Sequence, residues 1–131
     1  MNIEKKYGKG AELIWSDRKR RFGQPLSFTR YRLIKKPGAW CKLFSDIGLT
    51  FSEIEEVNLY RIRDISMHQS FFGKMLNVGT IVLKTAYDTQ PTITLRNIKN
   101  PFQVRDMLTD YVEKERQVHN VHVTEFQSRN W

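Results

Sequence analysis

Apolar and polar residues alternate along Ser27–Ile34, which is the clearest strand signal in the first third of the chain. Tyr31 and Leu33 fall on one face of this segment. Arg30 and Arg32 fall on the opposite face. Successive strand side chains point to opposite faces, so the pattern predicts a strand with one face in the core and one basic face.

Five further strands are predicted from alternation, or from β-branched runs between turn residues. They are Trp40–Asp46, Phe51–Leu59, Asp64–Ser70, Val78–Ala86 and Pro91–Arg96. Pro37 and Gly38 suit the two central positions of a type II turn. Such turns fit two-residue hairpins poorly, so we expect a longer loop between the first two of these six strands.

Two irregularities interrupt this series of strands. The apolar positions of Phe51–Leu59 change parity between Ile54 and Val57, which predicts a bulge. Phe71–Asn77 contains Gly73 and is predicted to form a bend between two strands.

The apolar period then changes to that of a helix, at Val104, Leu108 and Tyr111. Asn100 suits the N-cap position, and Pro101 suits the first helical position. We therefore predict one amphipathic helix, Pro101–Val118. The polar tail His119–Trp131 is expected to pack irregularly.

The net charge lies entirely in the first 36 residues. Met1–Lys36 holds 11 Lys/Arg against 3 Asp/Glu, which gives +8, and the rest of the chain holds 11 of each. A strongly basic segment favours a polyanionic partner, either nucleic acid or an anionic membrane. A solvated basic face that aids solubility is the alternative interpretation, and the charge count alone does not decide between them.

Eight basic residues of this segment are the candidate anion-binding or partner-binding residues: Arg18, Lys19, Arg20, Arg21, Arg30, Arg32, Lys35 and Lys36. Trp15 and Phe22 flank the densest run and suit a membrane interface. Each basic residue near an anionic leaflet contributes about 1 kcal/mol, so four give about 4 kcal/mol and an affinity of about 1 mM. Membrane binding would therefore need a second signal or an oligomer. No nucleic-acid-binding motif is recognised, so nucleic acid is not expected as a partner.

Groups with catalytic potential are scattered along the chain. Cys41 is the single cysteine and is predicted to be a buried small hydrophobe. His119 and His122 have a spacing compatible with metal ligands, but they fall where the helix is predicted to end. Glu53 and Glu55 share a strand face, where acidic residues more commonly protect an edge from aggregation. The chain has no phosphate-binding glycine motif and no nucleophile elbow, so we predict no cofactor, no metal site and no catalysis.

Several segments carry a family resemblance when they are taken together: Pro25–Leu33, Glu56–Ile65, Phe72–Gly73, Val78–Ile81 and Asn97–Pro101. In this combination the chain resembles the bacterial pleckstrin-homology (PH) family, from Leu13 to about Arg116. The resemblance implies a mainly β (α+β) fold. Two nearly orthogonal antiparallel sheets would form a partly open barrel capped by one C-terminal helix.

The chain departs from the PH domains that bind phosphoinositides. Those domains carry a basic cluster on the first hairpin, which ends in a basic–x–Arg pattern on the second strand. Lys35 and Lys36 lie at the predicted first hairpin, but the predicted second strand, Trp40–Asp46, has no arginine. Pro101–Val118 also lacks the tryptophan that these domains usually carry in the C-terminal helix. The resemblance therefore does not imply specific inositide binding.

The length of 131 residues predicts one domain. We expect a flexible basic N-terminus over residues 1–12, a PH-like domain over residues 13–118, and a C-terminal tail over residues 119–131. No apolar run approaches the roughly 20 residues of a transmembrane helix, and the start of the chain lacks the apolar stretch of a signal peptide. We therefore expect a cytoplasmic protein that could associate peripherally with a membrane.

The sequence as a whole predicts a non-catalytic binding module that acts in protein–protein interaction or self-assembly. The alternative is weak peripheral binding to anionic membranes through the N-terminal basic cluster. No small-molecule substrate is predicted.

Overall fold

A computed structural model describes residues 2–20, 28–48, 53–86 and 91–129, with the backbone alone for Glu53 and residues 120–129. Its elements in chain order are α1 (Ile3–Tyr7), β1 (Glu12–Arg18), β2 (Arg30–Lys36), β3 (Trp40–Ile47), β4 (Glu53–Asn58), a 3₁₀ turn (Leu59–Arg61), β5 (Ile62–His68), α2 (Phe71–Leu76), β6 (Val78–Thr85), β7 (Thr92–Lys99) and α3 (Pro101–Arg129).

The strands form two antiparallel sheets, as predicted. The first has the order β1-β2-β3-β4 and the second has the order β5-β6-β7. Leu33 of β2 lies opposite Leu43 of β3, which in turn lies opposite Val57 of β4. In the second sheet, Ile81 of β6 lies opposite Leu95 of β7. These five side chains are all buried, so each sheet turns an apolar face inward.

The helix α3 covers the core between the two sheets. Val104 and Leu108 are buried, which confirms the predicted apolar stripe, and Val112 extends it by one more turn. Tyr111 is partly buried against the same core. Val118, at the predicted end of the helix, is exposed.

One strand was missed in the sequence. Glu12–Arg18 forms β1, so the described residues contain seven strands rather than six. The register of β1 against β2 shifts between Leu13 and Trp15. As a result both Ile14 and Trp15 pack against the core. Two consecutive inward side chains remove the alternation by which a strand is recognised.

The turn between β2 and β3 is confirmed. The N–H of Ala39 donates to the carbonyl oxygen of Lys36 at 3.0 Å. Gly38 has a φ of 77°, which a type II turn requires at its third position. Because Lys36 pairs with Trp40, the connection holds three residues, one more than the shortest hairpin.

The predicted bulge in β4 is wrong, because β3 and β4 pair in regular register from Lys42↔Asn58 to Ile47↔Glu53. The change of parity has another cause. Ile54 is exposed on the outer face of the first sheet, whereas Val57 is buried on the inner face.

The segment predicted as a bend contains a short helix, α2. The Oγ of Ser70 accepts a hydrogen bond from the N–H of Gly73 at 3.0 Å, and Asn77 ends the helix with a φ of 54°. A Cβ on Gly73 would lie 2.6 Å from the carbonyl oxygen of Val78, so only glycine fits this position. Six residues are too few for helical periodicity to be visible in a sequence.

The tail predicted to pack irregularly is helical, since α3 continues to Arg129. Its start at Pro101 is confirmed. The chain has no glycine or proline after Pro101, so it carries no residue that would end the helix at Val118.

The outer face of the first sheet is covered by α1. Ile3 and Tyr7 pack against a small apolar cluster that includes Ile34 and Phe44. The rings of Tyr7 and Phe44 lie with their centroids 4.8 Å apart. Part of the segment expected to be flexible is therefore a helix in contact with the sheet. The boundaries proposed for the N-terminus, domain and tail remain predictions.

The carboxylate of Asp17 joins the two sheets. Its Oδ2 accepts a hydrogen bond from the N–H of Lys99 on β7 at 2.8 Å, and its Oδ1 accepts one from Nη2 of Arg20 at 3.2 Å. The N–H of Arg20 donates to the carbonyl oxygen of Asn97 at 2.8 Å. The Asp17 side chain is only 9% exposed, so water competes weakly for these bonds.

We expect Asp17→Ala to lower the free energy of unfolding by about 1–3 kcal/mol, because the shielded N–H of Lys99 loses its acceptor. Urea unfolding followed by circular dichroism measures this change. Asp106→Ala is the matched control, because the Asp106 side chain is 73% exposed beside Arg105 and should contribute no more than about 0.5 kcal/mol. Equal effects of the two substitutions would contradict this role of Asp17.

Candidate functional site

The basic residues predicted to bind a partner are divided between two ends of the first sheet. At one end of β1 and β2, Arg18 lies directly opposite Arg30. The N–H of Lys19, the next residue, donates a hydrogen bond to the carbonyl oxygen of Thr29. Lys36 ends β2 at the other side of the sheet. Lys36 lies six positions after Arg30 along the strand, a distance of about 20 Å. Arg18, Lys19 and Arg30 are the basic group at the β1–β2 end.

Three of the candidates contact other side chains of the protein. Arg20 pairs with Asp17. Arg32 is only 7% exposed, and its Nη1 donates to the hydroxyl of Tyr7 at 3.2 Å. The Nζ of Lys35 lies 5.8 Å from the centre of the Tyr111 ring. Arg21, together with the neighbouring Phe22, lies outside the described residues.

The missed strand changes the comparison with inositide-binding domains. The second strand of the fold is β2, not Trp40–Asp46, and it begins Arg30-Tyr31-Arg32. The basic–x–Arg pattern is therefore present, which corrects the statement that its arginine is missing. However, Arg32 is buried beneath α1 and bound to Tyr7, so its guanidinium faces the protein.

A cavity of about 270 Å³ lies beside the basic group at the β1–β2 end. Its lining includes Lys19, Thr29, Tyr31, Ser45, Glu55 and Arg96. The hydroxyl of Tyr31 accepts a hydrogen bond from the N–H of Arg96 at 3.0 Å, and burial raises the pKa of Tyr31. This cavity offers hydroxyl groups and two cations to a polar ligand, while the carboxylate of Glu55 offsets part of the positive charge.

Cys41 and His119, two of the groups with catalytic potential, are held within the fold, and the side chains of His122 and Glu53 lie outside the described residues. Cys41 is buried, as predicted, and burial raises the pKa of its thiol to about 12, so the nucleophilic thiolate is not formed near neutral pH. The His119 ring stacks on Tyr60 with the centroids 4.0 Å apart. Within the described part of the chain, no group of three His, Cys, Asp or Glu residues could hold a metal ion.

Sequence reasoning missed the most exposed apolar feature of the structure, which is α2. Phe71, Phe72 and Met75 are 73%, 71% and 70% exposed, and Leu76 is 42% exposed. These four side chains are the α2 apolar surface. Their signal in the sequence is an apolar run between two strands, Phe-Phe-Gly-Lys-Met-Leu, with no strand alternation.

Two basic side chains lie beside the α2 apolar surface. Lys74 belongs to the helix itself, and Nζ of Lys99 donates to the carbonyl oxygen of Leu76 at 3.3 Å. Phe102, at the start of α3, is also exposed, with the guanidinium of Arg105 5.5 Å from its ring centre. Lys74 and Lys99 form the basic rim of this surface.

Hydrogen bonds of Lys99 connect α2 with Asp17, near the end of β1. Lys99 donates through its N–H to Asp17 and through its Nζ to Leu76 of α2. Asp17 also holds Arg20, which follows Arg18 and Lys19 directly. One residue of β7 thus bridges the basic end of β1 and the apolar helix.

None of the described helices is long and apolar enough to cross a membrane.

Comparison with known proteins identifies one family. The sequence profile described as Bacterial PH domain matches residues 29–112, which is more than half of the chain. No curated protein and no solved structure matches. The matched span begins just before β2 and ends within α3, so α1 and β1 lie outside it.

The raised pKa of Cys41 predicts how stability depends on pH. An unfolded chain ionises this thiol near pH 9.0, whereas the folded chain does so near pH 12. Between these values the unfolded state binds fewer protons, so the free energy of unfolding falls as the pH rises. The expected loss from pH 9 to pH 10 is about 1 kcal/mol.

We expect Cys41→Ala to remove this part of the pH dependence, apart from a constant offset due to the smaller side chain. Urea unfolding of both proteins at several pH values in this range measures the two slopes. Identical slopes would contradict the assignment of Cys41 as a thiol that stays protonated in the fold.

Proposed function

Because the chain belongs to the bacterial PH domain family, we propose that it is a non-catalytic binding module whose partner is an anionic membrane surface. The family supports a binding module as the general role. The charge of the chain and its placement in the fold support the anionic membrane as the partner.

The observation that carries this proposal is the basic group at the β1–β2 end. Arg18 and Arg30 lie directly opposite each other, and like charges in this position destabilise a sheet. The carboxylate opposite Arg30 on β3, Asp46, already lies 3.9 Å from Nζ of Lys6. An anionic surface would relieve the repulsion between the two arginines.

The size of this electrostatic contribution is modest. Three basic residues near an anionic leaflet give about 3 kcal/mol, and the addition of a fourth still gives an affinity of only about 1 mM. The contribution also falls with added salt, because exposed charges are screened over about 10 Å at 0.1 M. Charge alone would therefore steer the protein to the membrane without holding it there.

We expect the protein to co-sediment with vesicles that contain phosphatidylglycerol and not with pure phosphatidylcholine vesicles. Arg18→Ala/Lys19→Ala should weaken binding about 10- to 30-fold, because two basic contacts are lost. Lys84→Ala/Lys114→Ala, which removes the same charge from β6 and α3, is the matched control and should bind nearly as the wild type does. Equal binding of wild type to both kinds of vesicle, or to neither, would contradict the proposal.

Self-assembly is the second candidate function, and the edge strand β4 favours it. β4 pairs with β3 on one side, and among the described strands none pairs with its other side. An exposed edge can accept a strand from another chain. The half-exposed carboxylate of Glu56 on β4, which pairs with Lys42 at 3.3 Å, would also face the basic N-terminal part of a second copy.

Size-exclusion chromatography with light scattering at two salt concentrations tests this second candidate. Charge-driven assembly predicts a mass above that of one chain at low salt, which decreases as salt is added. The mass of a single chain at both salt concentrations would exclude it.

A further inference from the structure

We propose that α2 is the membrane-inserting element of this protein, with Phe71, Phe72 and Met75 entering the bilayer and the basic rim contacting anionic headgroups. The inference rests on the proposed function and assigns it a site that lies outside the N-terminal basic cluster.

The exposure of α2 is the first step of the argument. Phe71, Phe72 and Met75 lose less than a third of their surface to the protein, and α2 has no buried residue. Soluble domains rarely leave several adjacent large apolar side chains in water unless the surface binds something. Neighbouring aromatic side chains on a protruding helix are suited to enter a lipid interface.

The second step is that α2 is held in place by polar contacts. Ser70 caps its start, as described above. At its end, the N–H of Asn100 donates to the carbonyl oxygen of Asn77 at 3.0 Å, and Nδ2 of Asn77 donates to Oδ1 of Asn100. These bonds fix the helix without using its apolar side chains, so the surface is preorganised for binding.

The third step is the charge around the surface. Lys74 and Lys99 carry positive charge next to α2, while Arg105 is paired at 3.3 Å with the exposed Asp106. Like-charged rims would repel one another if two copies met through this surface. An anionic bilayer provides both the apolar interior and the negative surface that such a rim complements.

The fourth step is that the fold holds one cation of the rim, Lys99, in place beside α2. Lys99 contacts both Leu76 of α2 and Asp17 at the end of β1. The apolar side chains of α2 and the charge of Lys99 can therefore meet one bilayer surface together. Two linked weak contacts give a combined affinity well above that of either one.

The first test compares variants in the vesicle assay. Phe71→Ala/Phe72→Ala should reduce binding to phosphatidylglycerol vesicles by about 100-fold, or about tenfold for each ring that leaves the bilayer. Both rings are exposed, so the variant should unfold at the same urea concentration as the wild type. Ile54→Ala/Val118→Ala removes two exposed apolar side chains elsewhere and should bind as the wild type does.

The second test reports on insertion directly. Cys41 is buried and its thiol stays protonated, so a cysteine introduced at an exposed position can be labelled selectively with an environment-sensitive fluorophore. A label at Phe72→Cys should brighten and shift to the blue when phosphatidylglycerol vesicles are added. A label at Ile54→Cys, on the outer face of the first sheet, should remain in water.

The outcomes separate this inference from the proposed function. If the wild type binds anionic vesicles but Phe71→Ala/Phe72→Ala binds equally well, or the Phe72→Cys label stays in water, the inference is overturned and the proposed function stands. If the wild type binds no vesicle, the proposed function itself fails. A wild-type oligomer that ignores vesicles and becomes monomeric in Phe71→Ala/Phe72→Ala would instead assign α2 to a protein contact and overturn the inference.

Discussion

The junction between the end of α2 and the start of α3 determines both what this protein buries and what it leaves exposed. Asn77 and Asn100 both have left-handed backbone conformations, with φ values of 54° and 52°, and they are hydrogen-bonded to each other. Gly79 and Pro101, which follow these asparagines in the chain, approach each other so closely that a Cβ added to Gly79 would lie 3.0 Å from the Pro101 ring. The close approach sets the direction in which α3 leaves the second sheet and allows Leu108 to reach the core. The same bonds hold α2 at the surface.

Much of the basic charge in the first 36 residues also serves the fold. Arg20 contacts the carboxylate that joins the sheets, and Arg32 lies beneath α1. Arg18, Lys19 and Arg30, at the β1–β2 end, remain partly exposed to solvent. In the described interior the one thiol, Cys41, is protonated. The features that distinguish this chain as a binding protein therefore lie on its surface, where an apolar helix and basic side chains are close together.

The inward faces of the sheets and of α3 could be predicted, because burial imposes a period of 2 on strands such as Ser27–Ile34 and a period near 3.6 on α3. β1 escaped prediction because a bulge turns two consecutive side chains inward. The burial of Arg32 could not be foreseen, since it depends on Tyr7, 25 positions away in the sequence. The candidate site was missed for a related reason. The apolar residues of Phe71–Leu76 look like core residues until the folded chain shows that nothing in the described structure covers them.

Hydrogen exchange of the vesicle-bound protein tests the central claim most directly, because it locates the contact without altering any residue. If α2 inserts, the backbone amides of residues 71–77 should exchange more slowly when anionic vesicles are present. Those of Trp40–Phe44, on the sheet beneath α1, should exchange at the same rate as in the free protein. Bound protein with unchanged exchange across residues 71–77 would contradict the assignment of α2 as the membrane contact.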